Sequence, residues 1–228
     1  MTPPFDPQQI EAIFFDLDGT LIDTDDLAVS ALAQRLGPLA RYLKRDPQRV
    51  ARRLVMWAET PGNRLVTFFD WLGLDDNIFR LGDKLRSWRG LRPRARLPLV
   101  PGVAEMLAAL KPHYRLGVVT TRGRRDARSF IEQHRLGGLF EIVVTRETTL
   151  RLKPHPAPVL YALRKLQLPA DRCLMVGDTT ADVLAGRRAG AWTVAVLCGF
   201  GERPELEKAG AHRVLDSTAH LPRALGVL

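Results

Sequence analysis

From residue 101 onward, short apolar runs alternate with amphipathic helical patterns, and this alternation restricts the possible folds more than any other feature of the sequence. The apolar runs predict strands at 116–119, 141–144, 174–176, 192–196 and 213–215. The helical patterns lie at 102–111, at 124–135, from Pro156 or Pro158 to Leu166, and at 181–189. Strands and helices that alternate in this way favour a mostly parallel sheet with helices on both faces. The sequence therefore predicts an α/β fold.

An apolar run near the start of the chain, Ile13 to Phe15, predicts one more buried strand. It ends abruptly in Asp16-Leu17-Asp18-Gly19-Thr20, which places two carboxylates and a tight turn at the carboxyl end of the strand. In open α/β sheets, ligands bind at that edge. A match to several fixed residues directly after a strand carries a low risk of coincidence. Asp16 and Asp18 are therefore the leading candidates for chemistry.

Further polar side chains lie at the ends of other predicted strands or in the loops that follow them. They are Thr120, Thr121, Lys153, Asp178 and Asp182. Parallel strands bring their carboxyl ends to the same edge of a sheet. We therefore expect these side chains to share one crevice with the two acids of the first strand.

The residue types in this set suit phosphoryl chemistry. Four carboxylates that lie close together repel one another unless a cation intervenes. Oxygen ligands favour a hard ion such as Mg²⁺, which also binds water and substrate phosphate. A lysine and a hydroxyl supply donors for phosphate oxygens, and a carboxylate beside a phosphoryl group is suited to nucleophilic attack. A second acid two residues further on can protonate the leaving oxygen and then activate water.

The segment between the first strand and the alternating region differs in pattern and in charge. Residues 23–98 carry helical patterns and no strand signal, which predicts an all-helical domain inserted into a core made of 1–22 and 99–228. Between residues 31 and 100, 15 Lys and Arg outnumber 6 Asp and Glu, an excess equal to the net charge of +9 of the whole chain. A solvated arginine-rich helical face is the favoured interpretation, and an anionic partner is the alternative.

Composition argues against several other classes of protein. No apolar run approaches the length of a membrane helix, and the first residues lack the pattern of a signal peptide. We therefore expect a cytoplasmic protein with no membrane partner. The two cysteines, Cys173 and Cys198, have no spacing typical of a disulfide framework or a zinc site.

Four segments together resemble a known superfamily. Phe15-Asp16-Leu17-Asp18-Gly19-Thr20-Leu21 strongly resembles the first motif of the haloacid dehalogenase-like hydrolases. The second, third and fourth motifs are similar to Val118-Val119-Thr120-Thr121, Lys153-Pro154 and Gly177-Asp178-Thr179-Thr180-Ala181-Asp182. The resemblance runs from about Ile13 to Leu221. It implies a Rossmann-like three-layer core with a helical C1 cap at 23–98, as in phosphoglycolate phosphatase and β-phosphoglucomutase.

The resemblance also implies catalytic roles for individual residues. Asp16 would be the nucleophile, and Asp18 would be the general acid and base. Thr120, Thr121 and Lys153 would bind the phosphoryl group, with Thr120 and Lys153 taking part in catalysis.

A Mg²⁺ site is implied by the same resemblance. Its ligands would be Asp16, Asp178, the backbone carbonyl of Asp18, and Asp182 either directly or through water. The sequence departs from the family pattern at one place, because asparagine often follows the second-motif threonine in phosphoglycolate phosphatase-like members and Thr121 stands here.

The predicted function is a Mg²⁺-dependent, phosphoglycolate phosphatase-like hydrolase of a small phosphorylated metabolite. Hydrolytic dehalogenases of the superfamily have no acid at the position of Asp18, so that activity is not favoured. A sugar phosphomutase of the β-phosphoglucomutase kind uses the same core residues and stays an alternative. A nucleic-acid-associated protein that uses the basic segment is a less favoured alternative. The sequence leaves the substrate open, and it is equally compatible with a monomer and a homodimer. The arginines at 52, 53 and 64 are candidates to bind a second anionic group of the substrate.

Overall fold

The computed structural model describes residues 6–23 and 97–228, in which six strands form one sheet. The strands are β1 (Ala12–Phe15), β2 (Arg115–Val119), β3 (Phe140–Val144), β4 (Cys173–Gly177), β5 (Trp192–Val196) and β6 (Arg213–Leu215). Their spatial order is β3-β2-β1-β4-β5-β6, and every neighbouring pair is parallel. Each predicted strand lies within an observed one, and the predicted α/β fold class is confirmed.

Helices connect the strands. Within the described residues, the α-helices are α1 (Val103–Leu110), α2 (Arg124–Gln133), α3 (Ala157–Leu166), α4 (Thr180–Ala189), α5 (Arg203–Lys208) and α6 (Leu221–Ala224). Short 3₁₀ turns lie at Pro7–Gln9, Ala170–Arg172 and Thr218–His220. The sequence patterns predict α1 to α4, whereas α5 is too short to show a helical period. No helix in the described ranges is long and apolar enough to cross a bilayer.

The core is built around β1, whose four residues are all buried. Phe14 and Met175 lie on one face of the sheet, in a cluster that includes Val159 of α3 and Ala185 of α4. Successive side chains of a strand point to opposite faces, and Ile13 is also fully buried. Both faces of the sheet are therefore covered, as a three-layer α/β core requires.

The chain leaves this core and returns to it at neighbouring points. Ile22 forms an antiparallel bridge with Leu99, and the backbone N–H of Asp23 donates to the carbonyl of Pro98 over 3.0 Å. Except for residues 23, 97 and 98, the predicted helical cap at 23–98 lies in the segment 24–96, outside the described residues, as do the arginines at 52, 53 and 64. The division into a core and a cap therefore stays a prediction.

Candidate active site

The carboxyl end of β1 places Asp16 at the centre of the sheet edge. The backbone N–H of Asp16 donates to the carbonyl of Val176 over 2.9 Å, so the pairing with β4 continues up to this residue. The chain then turns, with the N–H groups of Leu21 and Ile22 donating to the carbonyl of Leu17 over 2.9 and 2.7 Å. The turn passes through Gly19 at φ 65°, a conformation that glycine adopts at little cost. The side chain of Asp16 stays buried at this edge.

Asp178, which directly follows β4, is held tightly by the turn after β1 and by the loop after β5. Its Oδ1 accepts a hydrogen bond from the Thr20 hydroxyl over 3.3 Å, and its Oδ2 accepts one from the Phe200 N–H over 2.8 Å. A Cβ atom built on Gly19 or Gly199 would lie 2.2 or 2.1 Å from Oδ2. Glycine at these two positions therefore lets the two loops close on the carboxylate.

Replacing Gly19 by alanine is expected to lower the free energy of unfolding by about 3 kcal/mol, because the clash with Asp178 adds to the strain of a positive φ. Gly226→Ala is the matched control. Gly226 has a φ of 74°, and apart from its own two chain neighbours no described residue has an atom within 4 Å of its Cβ position. We expect the control to lose only about 1 kcal/mol. Urea unfolding measures both values, and equal losses would contradict the close contact between Gly19 and Asp178.

Lys153 lies between two of the carboxylates. Its Nζ is 2.8 Å from Oδ1 of Asp16 and 2.5 Å from Oδ1 of Asp182, and it donates to the carbonyl of Val119 over 2.9 Å. The lysine side chain is only 3% exposed. A buried ammonium is stable only when it is paired with negative charge and its N–H groups are hydrogen-bonded. Lys153 therefore ties the ends of β1 and β2 to the start of α4.

Asp182 has a second task at the start of α4. Its Oδ2 accepts hydrogen bonds from the backbone N–H of Thr179 over 3.1 Å and from the Thr179 hydroxyl over 2.6 Å. This is a capping box, which satisfies donors that the first turn of a helix leaves open. The two oxygens of Asp182 are thus divided between Lys153 and the helix cap.

Burial and mutual repulsion raise the proton affinity of the acids. Desolvation raises the pKa of Asp16 from 3.8 to about 7; Lys153 opposes this shift, while Asp182 and Asp18 add to it. Desolvation also raises the pKa of Asp178 well above its ordinary value, and the charges of Asp182 and Asp16 add to the effect. Burial alone would lower the pKa of Lys153, but the two neighbouring carboxylates raise it. Lys153 is therefore protonated at neutral pH, whereas the acids still lack a compensating positive charge.

The three buried acids fit a hard divalent cation. Oxygen atoms of Asp16, Asp178 and Asp182 all lie within 4.8 Å of one another. Oδ1 of Asp16 is buried and accepts no aligned hydrogen bond from the described residues, although Lys153 is at ion-pair distance. This oxygen therefore keeps a lone pair for another ligand. Carboxylate oxygens in such a cluster are the donors that hard cations prefer.

Asp18 points its carboxylate to a different partner, Arg122. Nε and Nη2 of Arg122 lie 2.6 and 2.5 Å from the two oxygens of Asp18, which is a bidentate ion pair. Thr120 is buried at the end of β2, and its hydroxyl accepts from the Arg122 N–H over 3.1 Å. Thr121 is exposed beside it. The side chain of Asp18 thus lies outside the group of three acids, next to the loop after β2.

The structure adds functional neighbours that sequence patterns do not identify. Arg122 is separated from Asp18 by 104 positions, and a lone arginine in a basic stretch gives no signal of its own. Phe200 contributes a backbone N–H, which every residue except proline carries. The capping role of Asp182 does have a signal, because Thr179 and Asp182 match the sequence pattern of a capping box.

The buried carboxylates and the lysine lie at the carboxyl edge of an open parallel sheet, which is where α/β proteins bind their ligands. Residues 13–196 match the family model described as haloacid dehalogenase-like hydrolase. The chain belongs to this family, and it is an enzyme of the hydrolase class. The resemblance predicted from the four motif segments is therefore confirmed.

Individual relatives cover nearly the whole chain. Pyrophosphatase PpaX from Bacillus cereus (strain B4264) is 31% identical over 217 residues, which cover 93% of this chain and 95% of the relative. The crystal structure of a predicted phosphoglycolate phosphatase from Haemophilus somnus superposes with a TM-score of 0.68 at 24% identity, covering 95% of this chain and 98% of the other. A hydrolase from Pseudomonas syringae gives a TM-score of 0.66 at 29% identity, covering 95% and 98%.

Proposed function

We propose that this protein is a phosphatase that hydrolyses small phosphorylated molecules through a phosphoryl-aspartate intermediate on Asp16. One observation carries the proposal. The buried Asp16 carboxylate lies at the carboxyl edge of the sheet with an oxygen that lacks an aligned hydrogen bond, 2.8 Å from the ammonium of Lys153. A nucleophilic oxygen beside a fixed cation is what attack on a phosphoryl group requires. Membership of a hydrolase family supports the same conclusion.

In the first step, an oxygen of Asp16 forms a bond to phosphorus while the bond from phosphorus to the leaving oxygen breaks. Asp18, two residues away, donates a proton to the leaving oxygen, so that it departs as a neutral hydroxyl. Lys153 and the hydroxyl of Thr120 bind the phosphoryl oxygens, and Thr121 adds a second hydroxyl at the same loop. The positive charge of Lys153 offsets the charge that develops on the transferring group.

In the second step, Asp18 removes a proton from a water molecule, and the water oxygen attacks phosphorus. The bond from phosphorus to Asp16 breaks, which releases inorganic phosphate and restores both carboxyl groups to their starting states. The same residue therefore serves first as an acid and then as a base.

Mg²⁺ is the proposed cofactor, held by the carboxylates of Asp16, Asp178 and Asp182 and by the backbone carbonyl of Asp18. When bound, it would offset negative charge on the phosphoryl oxygens. Charge balance supports this choice. With all groups ionised, the four acids carry four negative charges and Lys153 and Arg122 carry two positive ones, which leaves an excess of two negative charges.

Mg²⁺ is expected to stabilise the folded protein more at pH 8 than at pH 5.5. Without metal, the folded-state pKa of Asp16 is about 7, above its ordinary value of 3.8, so folding stability falls as pH rises through that interval. A bound cation removes this loss by favouring the ionised form. At a free Mg²⁺ concentration 100 times its Kd, the gain is about 2.7 kcal/mol. Thermal unfolding with and without Mg²⁺ at both pH values tests this, and a gain independent of pH would contradict it.

Two small phosphorylated molecules are the proposed substrates. Pyrophosphate is the first candidate, because the relative from Bacillus cereus carries the name pyrophosphatase and is 31% identical over most of the chain. Phosphoglycolate is the second, from the resemblance of the motifs to phosphoglycolate phosphatase. The cytoplasmic location and the oligomeric state stay predictions from the sequence.

The experiment that tests the function is a phosphate-release assay with Mg²⁺ on p-nitrophenyl phosphate, pyrophosphate, phosphoglycolate, sugar phosphates and nucleotides. We expect release of inorganic phosphate that stops when the metal is chelated. Transfer of the phosphoryl group between positions of a sugar phosphate, without net release, would favour the mutase instead. Failure to release phosphate from any substrate would overturn the proposal.

A further inference from the structure

We infer that Arg122 is a specificity-determining residue that binds an anionic group on the leaving side of the substrate. The inference rests on the proposed function, because it concerns the molecule that departs from the phosphoryl group. Arg122 would make the enzyme prefer leaving groups that carry their own negative charge, such as inorganic phosphate or a short carboxylate. The observation behind it is the juxtaposition of Arg122 with Asp18 at the open edge of the site.

Hydrogen bonds hold both the backbone and the guanidinium of Arg122 in place. Its backbone N–H donates to the Thr120 hydroxyl over 3.1 Å, directly after β2. Its guanidinium is held by Asp18 through the two contacts of 2.5 and 2.6 Å. A planar guanidinium held in this way is oriented for bidentate binding of carboxylate or phosphate oxygens. Arg122 therefore needs little rearrangement to accept an anion.

The guanidinium also retains binding capacity. An arginine has N–H groups on Nε, Nη1 and Nη2. The pair with Asp18 uses the N–H of Nε and one of the two N–H groups of Nη2. Within residues 6–23 and 97–228, the Nη1 of Arg122 has no hydrogen-bond acceptor. The side chain is 21% exposed and that of Asp18 is 31% exposed, so neither is fully buried.

The leaving group must pass next to this guanidinium. A general acid lies within hydrogen-bond distance of the oxygen that it protonates. The oxygens of Asp18 are themselves within 2.6 Å of Arg122 nitrogens, so atoms bonded to a leaving oxygen at Asp18 come within a few bonds of the guanidinium. An anionic group one or two atoms further along the leaving molecule then has a cation directly beside it.

The other cation of the described site, Lys153, lies beside the nucleophile and not beside the general acid. Lys153 is buried and pairs with Asp16 and Asp182, on the side of the nucleophile. It can offset charge on the transferring phosphoryl group but is committed to the two acids. If Arg122 were absent, a leaving group with its own negative charge would lose the guanidinium that lies beside Asp18, whereas a neutral leaving group needs no such partner.

The test compares two substrates that differ by a carboxylate in place of a methyl group on the leaving side. Phosphoglycolate and ethyl phosphate both release an alkoxide that requires protonation, but only phosphoglycolate carries a carboxylate on the leaving side. We expect Arg122→Gln to lower the ratio of kcat/KM for phosphoglycolate to that for ethyl phosphate by about 10-fold or more. Arg122→Lys should restore part of the ratio, since lysine supplies the charge without the planar fork. Pyrophosphate, whose leaving group is also anionic, should follow phosphoglycolate.

Arg125→Gln is the matched control, because Arg125 lies three positions away on the exposed start of α2 and carries the same charge. Arg125→Gln should leave the ratio of the two kcat/KM values unchanged. If it lowers the ratio as much as Arg122→Gln does, the overall electrostatic potential of the protein explains the effect and the inference is wrong. If Arg122→Gln slows both alkyl phosphates equally while p-nitrophenyl phosphate is spared, Arg122 only positions Asp18 and the inference is wrong. Hydrolysis of p-nitrophenyl phosphate by the unaltered protein reports separately on the proposed function, because that leaving group departs readily without a proton.

Discussion

Asp16→Asn is expected to lower kcat for p-nitrophenyl phosphate by about 10⁴-fold or more, because an amide oxygen is too weak a nucleophile to displace the leaving group. Asparagine has nearly the same volume as aspartate, so the buried site at the end of β1 keeps its packing. The loss should therefore appear in kcat at saturating substrate, with far-UV circular dichroism unchanged. Rapid quenching should trap a phosphorylated protein with the native sequence and none with the variant.

A matched control separates this effect from a general loss of acidic charge. Asp171 is exposed in the 3₁₀ turn before β4, and Asp171→Asn should retain full activity. Full activity in Asp16→Asn would remove Asp16 as the nucleophile. A phosphorylated protein that persists in this variant would require a different residue to accept the phosphoryl group.

Lys153→Met is the variant with the largest expected effect on stability. Methionine fills most of the space but removes the positive charge that lies between Asp16 and Asp182, 2.8 and 2.5 Å from their oxygens. Removing one partner of a buried ion pair costs about 3–5 kcal/mol. We expect a loss of this size at pH 8, together with nearly complete loss of activity, since the phosphoryl group then lacks a fixed cation.

The stability loss in Lys153→Met should depend on pH. The folded-state pKa of Asp16 is about 7 with the lysine present, above the ordinary 3.8, and it rises further when the lysine is removed. At pH 5 Asp16 is protonated with or without the lysine, so the missing pair with Asp16 costs less there, whereas at pH 8 the native protein gains from the ionised pair and the variant does not. Urea unfolding without Mg²⁺ at the two pH values would measure this. The same loss at pH 5 and pH 8 would contradict the pairing of Lys153 with Asp16.

Lys208→Met provides the control for that experiment. Lys208 is exposed at the end of α5, so the same substitution there removes an equal charge from the surface. Exposed substitutions of this kind change stability by about 0.5 kcal/mol or less. A large loss in the control would point to the overall charge of the chain instead of the buried pair.

Many strands and helices of the core could be predicted because short stretches of sequence determine them. The apolar run at 192–196, for example, is a strand buried along its whole length, and Gly190 stops the preceding helix with a φ of 84°. Parallel pairing then brings the ends of β1, β2 and β4 to one edge, so the neighbourhood of Asp16, Thr120 and Asp178 follows from topology. The assignment of catalytic roles to these residues remains a prediction.

What sequence patterns could not provide are contacts between distant side chains and contacts made by the backbone. The pairing of Asp18 with Arg122 depends on how the loop after β2 turns, and no local pattern encodes that geometry. The N–H of Phe200 reaches Asp178 only because Gly199 lets the loop after β5 approach closely. The helical pattern of 24–96 lies outside the described residues, so the proposed cap stays a prediction from the sequence.

The central place of β1 has a consequence for synthesis on the ribosome. Its partners β2 and β4 are translated much later, and 158 positions separate Thr20 from the Asp178 that it contacts. At about 5–20 residues per second, roughly 8 to 30 s pass before that contact can form. Until β2 emerges, the apolar segment Ala12–Phe15 has no partner in the sheet, and until β4 emerges one of its two edges stays unpaired. Nascent chains that stall before β4 should therefore leave one edge of this segment unpaired, aggregate readily and depend on chaperones, while lacking Asp178 and Asp182 of the acid cluster.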